Sequence, residues 1–168
     1  MEALVKGGFM AGVLDITTTE LADELAGGVF SAGADRLEAA GNHGIPQVVS
    51  LGALDMVNFG PMDTVPEKYR NRRLYKHNPT VTLMRTTPEE CAELGRMIVR
   101  KLNKAKGPVA LFIPLRGVSM IATLGDLSRA APTPGRDLPH KWEPSQMISN
   151  PSPASSETAS AKADQSTK

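Results

Sequence analysis

Three short apolar runs, separated by stretches with helical periodicity, constrain this sequence more than any other feature. They cover residues 9–16, 45–51 and 109–115, each long enough for one strand. The first is apolar on both faces apart from Asp15, which is typical of parallel sheets covered by helices. We therefore predict a small, mainly parallel α/β unit with right-handed crossovers. Its flanking strands are predicted to be open edges, as in a piece of a larger fold.

Helix signals lie between the apolar runs. Thr17 to Glu20 reads T-T-T-E, which predicts a capping box with Thr17 as N-cap and Glu20 at the third helical position. Residues 34–43 are predicted to form a second helix, which ends at a glycine. Thr87 is followed by proline and, three residues on, by Glu90, which predicts the start of a third helix.

A long polar connection follows the second apolar run. It covers residues 52–78, whereas most strand-to-helix connections take about 2–6 residues and longer ones are usually functional or disordered. Apolar residues such as Met56 and Phe59 occur within it, so we predict that it packs against the domain. Open α/β sheets hold ligands beyond the carboxyl ends of their strands. Residues 80–85 alternate in polarity and are predicted to form a short strand.

Length and composition divide the chain into two parts. The 168 residues are enough for one domain with a core, which we place at residues 1–125. Residues 126–168 are rich in Pro, Ser, Ala and Thr and are predicted to be a disordered tail, because they have little apolar surface to bury.

Charge and residue usage exclude several classes of protein. A net charge of +1 and an aromatic content of 4% argue against direct nucleic-acid binding. The sequence has no apolar run of about 18 residues, so no membrane span is expected. Cys91 is the only cysteine, which fits a reducing compartment, and we expect a cytoplasmic protein. Cys91 lies on the apolar face of the third helix, where core packing is the expected role.

Polar side chains follow each apolar run and would meet at one edge of a parallel sheet. The helix N-terminus after the first run favours an anion, and an arginine after the third can clamp a phosphate or carboxylate. The sequence thus predicts a crevice for an anionic ligand. No metal site is firm, although Asp55 or Asp15 could hold a hydrated Mg²⁺ ion. The candidate ligand-binding residues are Asp15, Thr17, Thr18, Asn58, Asn78 and Arg116, and the candidate catalytic residues are Asp55 and His77.

Ordinary structural roles remain open for the same residues. Thr17 could serve only as a cap, Asp15 could close a turn, and His77 could shape the turn before a proline. Arg116 could pair with a structural carboxylate, because ion-pair networks also collect in such loops. The sequence contains no G-x-G-x-x-G, no phosphate-loop motif, no C-x-x-C and no H-E-x-x-H.

Several segments carry a family resemblance. They are GVLDITTTELADELAGGVFSAGADRL, GIPQVVSLGALDMVNFGP, RLYKHNPTVTLMRTTPEE and GPVALFIPLRGVS. Over residues 1–119 the chain resembles the ATP-binding domain family of the tomato mosaic virus resistance protein, which is otherwise a large group of uncharacterised proteins. The resemblance implies a Rossmann-like three-layer α/β unit that binds a nucleotide, with ATP and Mg²⁺ as expected cofactors. It also implies that the candidate residues above form the edge of the pocket.

The chain departs from the family pattern at both ends. Members carry a glycine-rich G-T-G-G segment just before the helix that matches residues 1–6, and they continue past Ser119 with a G-G-P-F-like segment. Neither is present here. We therefore expect this chain to represent the middle of a C-terminal half-domain, incomplete and lacking its glycine-rich phosphate loop.

Three functions are compatible with these features. The first is a nucleotide-binding module, completed by a missing half-domain or by self-association. The second is a hydrolase or lyase for a small phosphorylated or carboxylated substrate, with Asp55 or His77 moving protons and Arg116 holding the anion. The third is a non-catalytic interaction fragment whose open edges bind a partner.

Overall fold

The chain forms a mixed α/β unit with two small sheets. The computed structural model describes residues 1–114 and 118–123. In chain order the elements are α1 (Glu2–Lys6), β1 (Val13–Thr17), α2 (Thr19–Ala26), α3 (Ala39–His43), β2 (Gln47–Gly52), β3 (Met56–Phe59), β4 (Leu74–Asn78), β5 (Val81–Arg85), α4 (Pro88–Leu102) and β6 (Val109–Phe112), with 3₁₀ turns at Met62–Thr64, Glu67–Tyr69 and Met120–Thr123.

The three apolar runs form one parallel sheet, as predicted. Its strand order is β1-β2-β6, and both pairings are parallel. Asp15 lies opposite Val49, which lies opposite Leu111, so these three side chains share one face. The predicted α/β class is therefore confirmed, with the sheet and one helical layer supplied by the described residues.

The two faces of the parallel sheet differ, which corrects the prediction that its strands are buried on both sides. One face packs against α1 to α4 through residues such as Val13 and Val49. On the other face Leu14 and Ile16 are each 64% exposed and Phe112 is 68% exposed. We call this surface the open face; it comprises Leu14, Ile16, Val48, Ala110 and Phe112.

The prediction that a long loop follows β2 is wrong. It contains β3 and β4, which pair antiparallel with β5 in the order β3-β5-β4. The predicted strand at 80–85 is thereby confirmed as β5. Val57 and Met84 from this sheet are buried in the same core as Leu21 of α2 and Leu94 of α4. The second sheet thus packs against the helical layer.

The helix starts follow the sequence signals in part. Thr87 caps α4, and its hydroxyl and the Glu90 side chain complete the predicted capping box. Cys91 is buried on the core side of α4, as expected. The predicted capping box of Thr17 and Glu20 is wrong, because the N-cap of α2 is Thr18 and no side chain caps the helix. The Thr18 hydroxyl instead donates a hydrogen bond to the Ser50 carbonyl at 3.1 Å.

Further expectations concern the length of the second helix, the C-terminal tail and a membrane span. The second helix is shorter than predicted, because residues 34–38 form turns before α3. The predicted tail at 126–168 lies outside the described residues. Among the helices of the described ranges, none is long and apolar enough to cross a membrane.

Candidate functional site

The ends of the three parallel strands meet at one edge of the sheet. The Thr18 N–H donates to the Gly52 carbonyl at 3.0 Å, which joins the ends of β1 and β2. The Ala53 N–H donates to the Val118 carbonyl at 2.8 Å, which brings in the segment after β6. We call this region the carboxyl edge and define it by Thr17, Thr18, Gly52, Ala53 and Ser119.

The N-terminus of α2 lies at the carboxyl edge and has no side-chain cap. The hydroxyl that would serve as the cap, that of Thr18, is bonded to β2 instead. The first-turn N–H groups of Thr19 and Glu20 therefore keep their hydrogen-bonding capacity. Such groups, together with the positive end of the helix dipole, favour an anion. Thr17 beside them is exposed.

Ala53 holds an uncommon backbone conformation at the same edge. Its φ is +58°, in the left-handed region that favours glycine. This turn directs the chain from β2 into Leu54 and Asp55. Left-handed alanine costs about 1–2 kcal/mol, so the surrounding contacts must hold the turn in place.

Asp15 is buried in an ion cluster centred on Arg36. The Arg36 guanidinium contacts Asp15 Oδ1 at 2.5 Å, Glu2 at 3.4 Å and Glu20 at 3.7 Å. Burial lowers the pKa of Arg36, but the hydrogen bond to Asp15 and the nearby carboxylates raise it, and the net direction is upward. Three carboxylates thus surround one guanidinium. Asp15 contacts a structural arginine here, and its ligand role stays a prediction.

Asp55 is also buried and paired. Its Oδ2 accepts hydrogen bonds from Arg85 Nη1 at 2.7 Å and from Ser119 Oγ at 2.8 Å. Its Oδ1 and the Nε of Arg85 are buried and have no hydrogen-bond partner within residues 1–114 and 118–123. Asp55 is 1% exposed, so neither a substrate nor a hydrated Mg²⁺ ion reaches it in this conformation. The proposed proton-transfer role of Asp55 stays a prediction.

Asn58 fastens β3 to α2. Its backbone N–H donates to Asp23 Oδ1 at 2.7 Å, and its side-chain amide reaches both Asp23 oxygens and Thr19 Oγ1. The same carboxylate accepts the Phe30 N–H at 2.9 Å. Burial raises the pKa of the Asp23 carboxyl, although these donors act to lower it. Asn58 is thereby engaged within the fold, close to the first turn of α2.

The remaining predicted residues do not join the carboxyl edge in the described structure. His77 and Asn78 lie at the turn of the β4–β5 hairpin, where Asn78 Oδ1 accepts the Thr80 N–H. Arg85, which contacts Asp55, lies at the other end of β5, about 13 Å away at about 3.3 Å per residue. Arg116 lies outside the described residues.

Three residues of these networks were missed by sequence reasoning: Asp23, Arg36 and Arg85. Arg36 lies 21 positions from Asp15, and Arg85 lies 30 positions from Asp55. No local pattern marks either pair. A buried acid needs a cationic partner, so the sequence indicates that Asp15 and Asp55 each have one, but it does not indicate which arginine.

No metal site stands out among the described residues, since they contain no group of three His, Cys, Asp or Glu side chains placed around one ion. A surface groove of about 290 Å³ lies between α2 and α4. None of the predicted site residues lines it. Its lining residues are Leu21, Glu24, Ala34, Glu38, Met97, Arg100, Lys101 and Lys104.

Cys91, which is buried in α4, is expected to be unreactive in the native protein. Burial raises the pKa of its thiol, and its Sγ lies 3.3 Å from the Thr86 hydroxyl. We expect a disulfide reagent at pH 8 to label Cys91 roughly 100-fold more slowly in buffer than in urea, because labelling needs local opening. Equal rates in the two solvents would contradict this burial.

Comparison with known proteins places the chain in a family. The model of the C-terminal domain of the uncharacterised protein family UPF0261 matches residues 1–133. The chain belongs to this family. A UPF0261 protein of Clostridium tetani is 62% identical over 127 residues, which are 76% of this chain and 31% of the relative. The family resemblance found in the sequence is therefore confirmed as membership of this uncharacterised family, whereas ATP binding stays a prediction.

The UPF0261 relatives include two tomato proteins. The tomato mosaic virus resistance protein Tm-1 is 49% identical over 125 residues, and its susceptible counterpart is 48% identical over the same length. Each match covers 74% of this chain and 17% of the tomato protein. The chain spans about a third of the bacterial relative and about a sixth of the tomato proteins.

Proposed function

We propose that this chain supplies one side of a binding site for a nucleotide or a related small anion, with the carboxyl edge facing the ligand. The observation that carries the proposal is the meeting of three strand ends beside the uncapped N-terminus of α2. Open α/β sheets bind ligands at this position. The family resemblance, which implies ATP binding, supports the same edge.

The exposed groups at this edge suit phosphate oxygens. Thr17 is exposed, and the first-turn N–H groups of Thr19 and Glu20 have no side-chain cap. Each can donate a hydrogen bond to an anion. The carboxylates around Arg36 oppose a bare anion, and Mg²⁺ carried by the phosphates would reduce that repulsion.

The proposal includes no proton transfer by Asp55, because Asp55 is buried and bonded to Arg85 and Ser119. It does include a second contributor to the site. A pocket usually encloses most of a ligand, whereas the carboxyl edge offers one side. We therefore expect this chain alone to bind in the millimolar range, about −4 kcal/mol, and a full-length relative to bind more tightly.

An NMR titration with ATP and Mg²⁺ tests the proposal residue by residue. We expect amide shifts at Thr17, Thr19, Glu20 and Ala53, because these groups line the carboxyl edge. Shifts confined to His77 and its neighbours would place the ligand at the β4–β5 hairpin and overturn this site. Calorimetry on the full-length Clostridium tetani relative is the second test. If that protein binds neither ATP nor other small phosphates, the proposed function is wrong.

A substitution that adds a negative charge tests whether the ligand binds beside Thr17. Thr17→Glu is expected to weaken binding about fivefold, since a carboxylate near the phosphates costs about 1 kcal/mol at a solvated site. Thr80→Glu makes the same change on the exposed hairpin turn and is expected to leave the affinity unchanged. Equal effects of the two substitutions would indicate nonspecific charge repulsion.

A further inference from the structure

The open face is a feature of the described structure that the proposed function does not use. Leu14 and Ile16 of β1 and Phe112 of β6 are all at least 64% exposed on the outer side of the parallel sheet, with the central strand β2 between them. On this side Ser50 of β2 lies opposite Phe112 and is 9% exposed. Val48 of the central strand lies between Leu14 and Ala110 in the pairing register. Parallel sheets are found almost only with both faces covered, and contiguous apolar patches usually mark interaction sites.

The topology indicates what kind of element belongs there. The chain passes from β1 to β2 to β6 in one direction across the sheet, and the described helices all lie on one face. Right-handed crossovers in one direction share a face. A crossover that runs back toward the free edge of β1 must therefore lie on the open face. The expected cover is a helix that leads to a strand beside β1.

The relatives carry polypeptide that could provide such an element. More than two thirds of the Clostridium tetani protein lies outside the match, and the matching model is that of a C-terminal domain. We propose that the open face docks polypeptide from that remaining part of the family protein. The contact would consist of the apolar side of a helix against Leu14, Ile16 and Phe112, with a strand pairing along the free edge of β1.

Co-expression tests this proposal with the chain as it stands. A tagged copy of the chain is produced together with the part of the Clostridium tetani protein that lies outside the match. We expect a 1:1 complex in size-exclusion chromatography with light scattering. Hydrogen exchange is expected to slow in β1 and β6 of the complex, relative to the chain alone, because β1 gains a neighbouring strand and both strands are covered.

Charged substitutions locate the contact. Phe112→Lys and, as a second variant, Leu14→Lys are each expected to weaken the complex at least tenfold, since an apolar contact is replaced by a charge. Val29→Lys is the matched control, because Val29 is 57% exposed but lies in the loop bonded to β3 through Asn58. It is expected to change the affinity less than twofold.

Three outcomes would overturn the proposal. The first is the absence of a complex from co-expression. The second is a complex that Phe112→Lys and Leu14→Lys do not weaken although hydrogen exchange shows both variants folded. The third is a dimer of the chain alone that Phe112→Lys dissociates, which would make a second copy the occupant. None of these readings depends on nucleotide binding, so failure here and failure of the proposed function are distinguishable.

Discussion

Replacing Arg36 with methionine is expected to lower the free energy of unfolding by about 3–5 kcal/mol. Arg36 is 6% exposed and is the guanidinium around which Asp15, Glu2 and Glu20 gather. Methionine keeps much of the side-chain volume but leaves Asp15 buried without its cation. An uncompensated buried charge costs far more than the ion pair itself contributes. Small domains have only about 5–15 kcal/mol of stability, so this change removes a large part of the margin.

Urea unfolding followed by circular dichroism measures the loss, and Arg96→Met is the control. Arg96 pairs with Glu93 on α4, but its side chain is 61% exposed. Exposed pairs contribute about 0–1 kcal/mol, so the control is expected to unfold near the wild-type midpoint. If both variants unfold at the same urea concentration, the cluster around Arg36 is not the stabilising centre described here.

The parallel sheet could be predicted from sequence because its signal is local. Each of β1, β2 and β6 is an apolar run, and short apolar runs between helical patterns predict parallel strands. The capping box at Thr87 was equally local and was confirmed. The cap of α2 was not predictable to the residue, because three threonines stand in a row. The helix begins after Thr18, whose hydroxyl donates to the Ser50 carbonyl in a tertiary contact and does not cap the helix.

Of the antiparallel sheet only β5 was predicted, because the β3–β5 pairing is nonlocal and the sequence of β4 does not resemble a strand. β3 has four residues, and its partner β5 begins more than twenty residues later. β4 reads LYKHN, which carries too much charge to be recognised as a strand from its pattern. Charged edge strands resist further pairing, and β4 is one of the two edge strands of this sheet.

The sequence predicted where the candidate site lies but did not predict which residues contact each other there. Convergence of the strand ends follows from parallel topology, and the bonds from Thr18 to Gly52 and from Ala53 to Val118 agree with it. The partners of the acids did not follow. Asp15 and Asp55 looked available in sequence, but each is bonded to an arginine distant in the chain. Which base meets which acid is decided by packing.

The Asp55–Arg85 pair gives the second large expected effect. Arg85→Met is expected to destabilise the protein by about 3–5 kcal/mol, because Asp55 would remain 1% exposed without its cation. Removing both charges, in Asp55→Leu with Arg85→Met, is expected to recover most of the loss, since apolar replacements of a buried pair are often neutral. Arg100→Met is the control, because the Arg100 side chain is 59% exposed.

The same pair tests whether Asp55 serves the fold or a ligand. Groups held in place for function commonly cost stability, so their replacement often stabilises a protein. A carboxylate that holds β5 and Ser119 in position does the opposite, and Asp55→Asn is then expected to lower the urea midpoint. A rise in the midpoint with Asp55→Asn would contradict a stabilising role of this carboxylate in the fold.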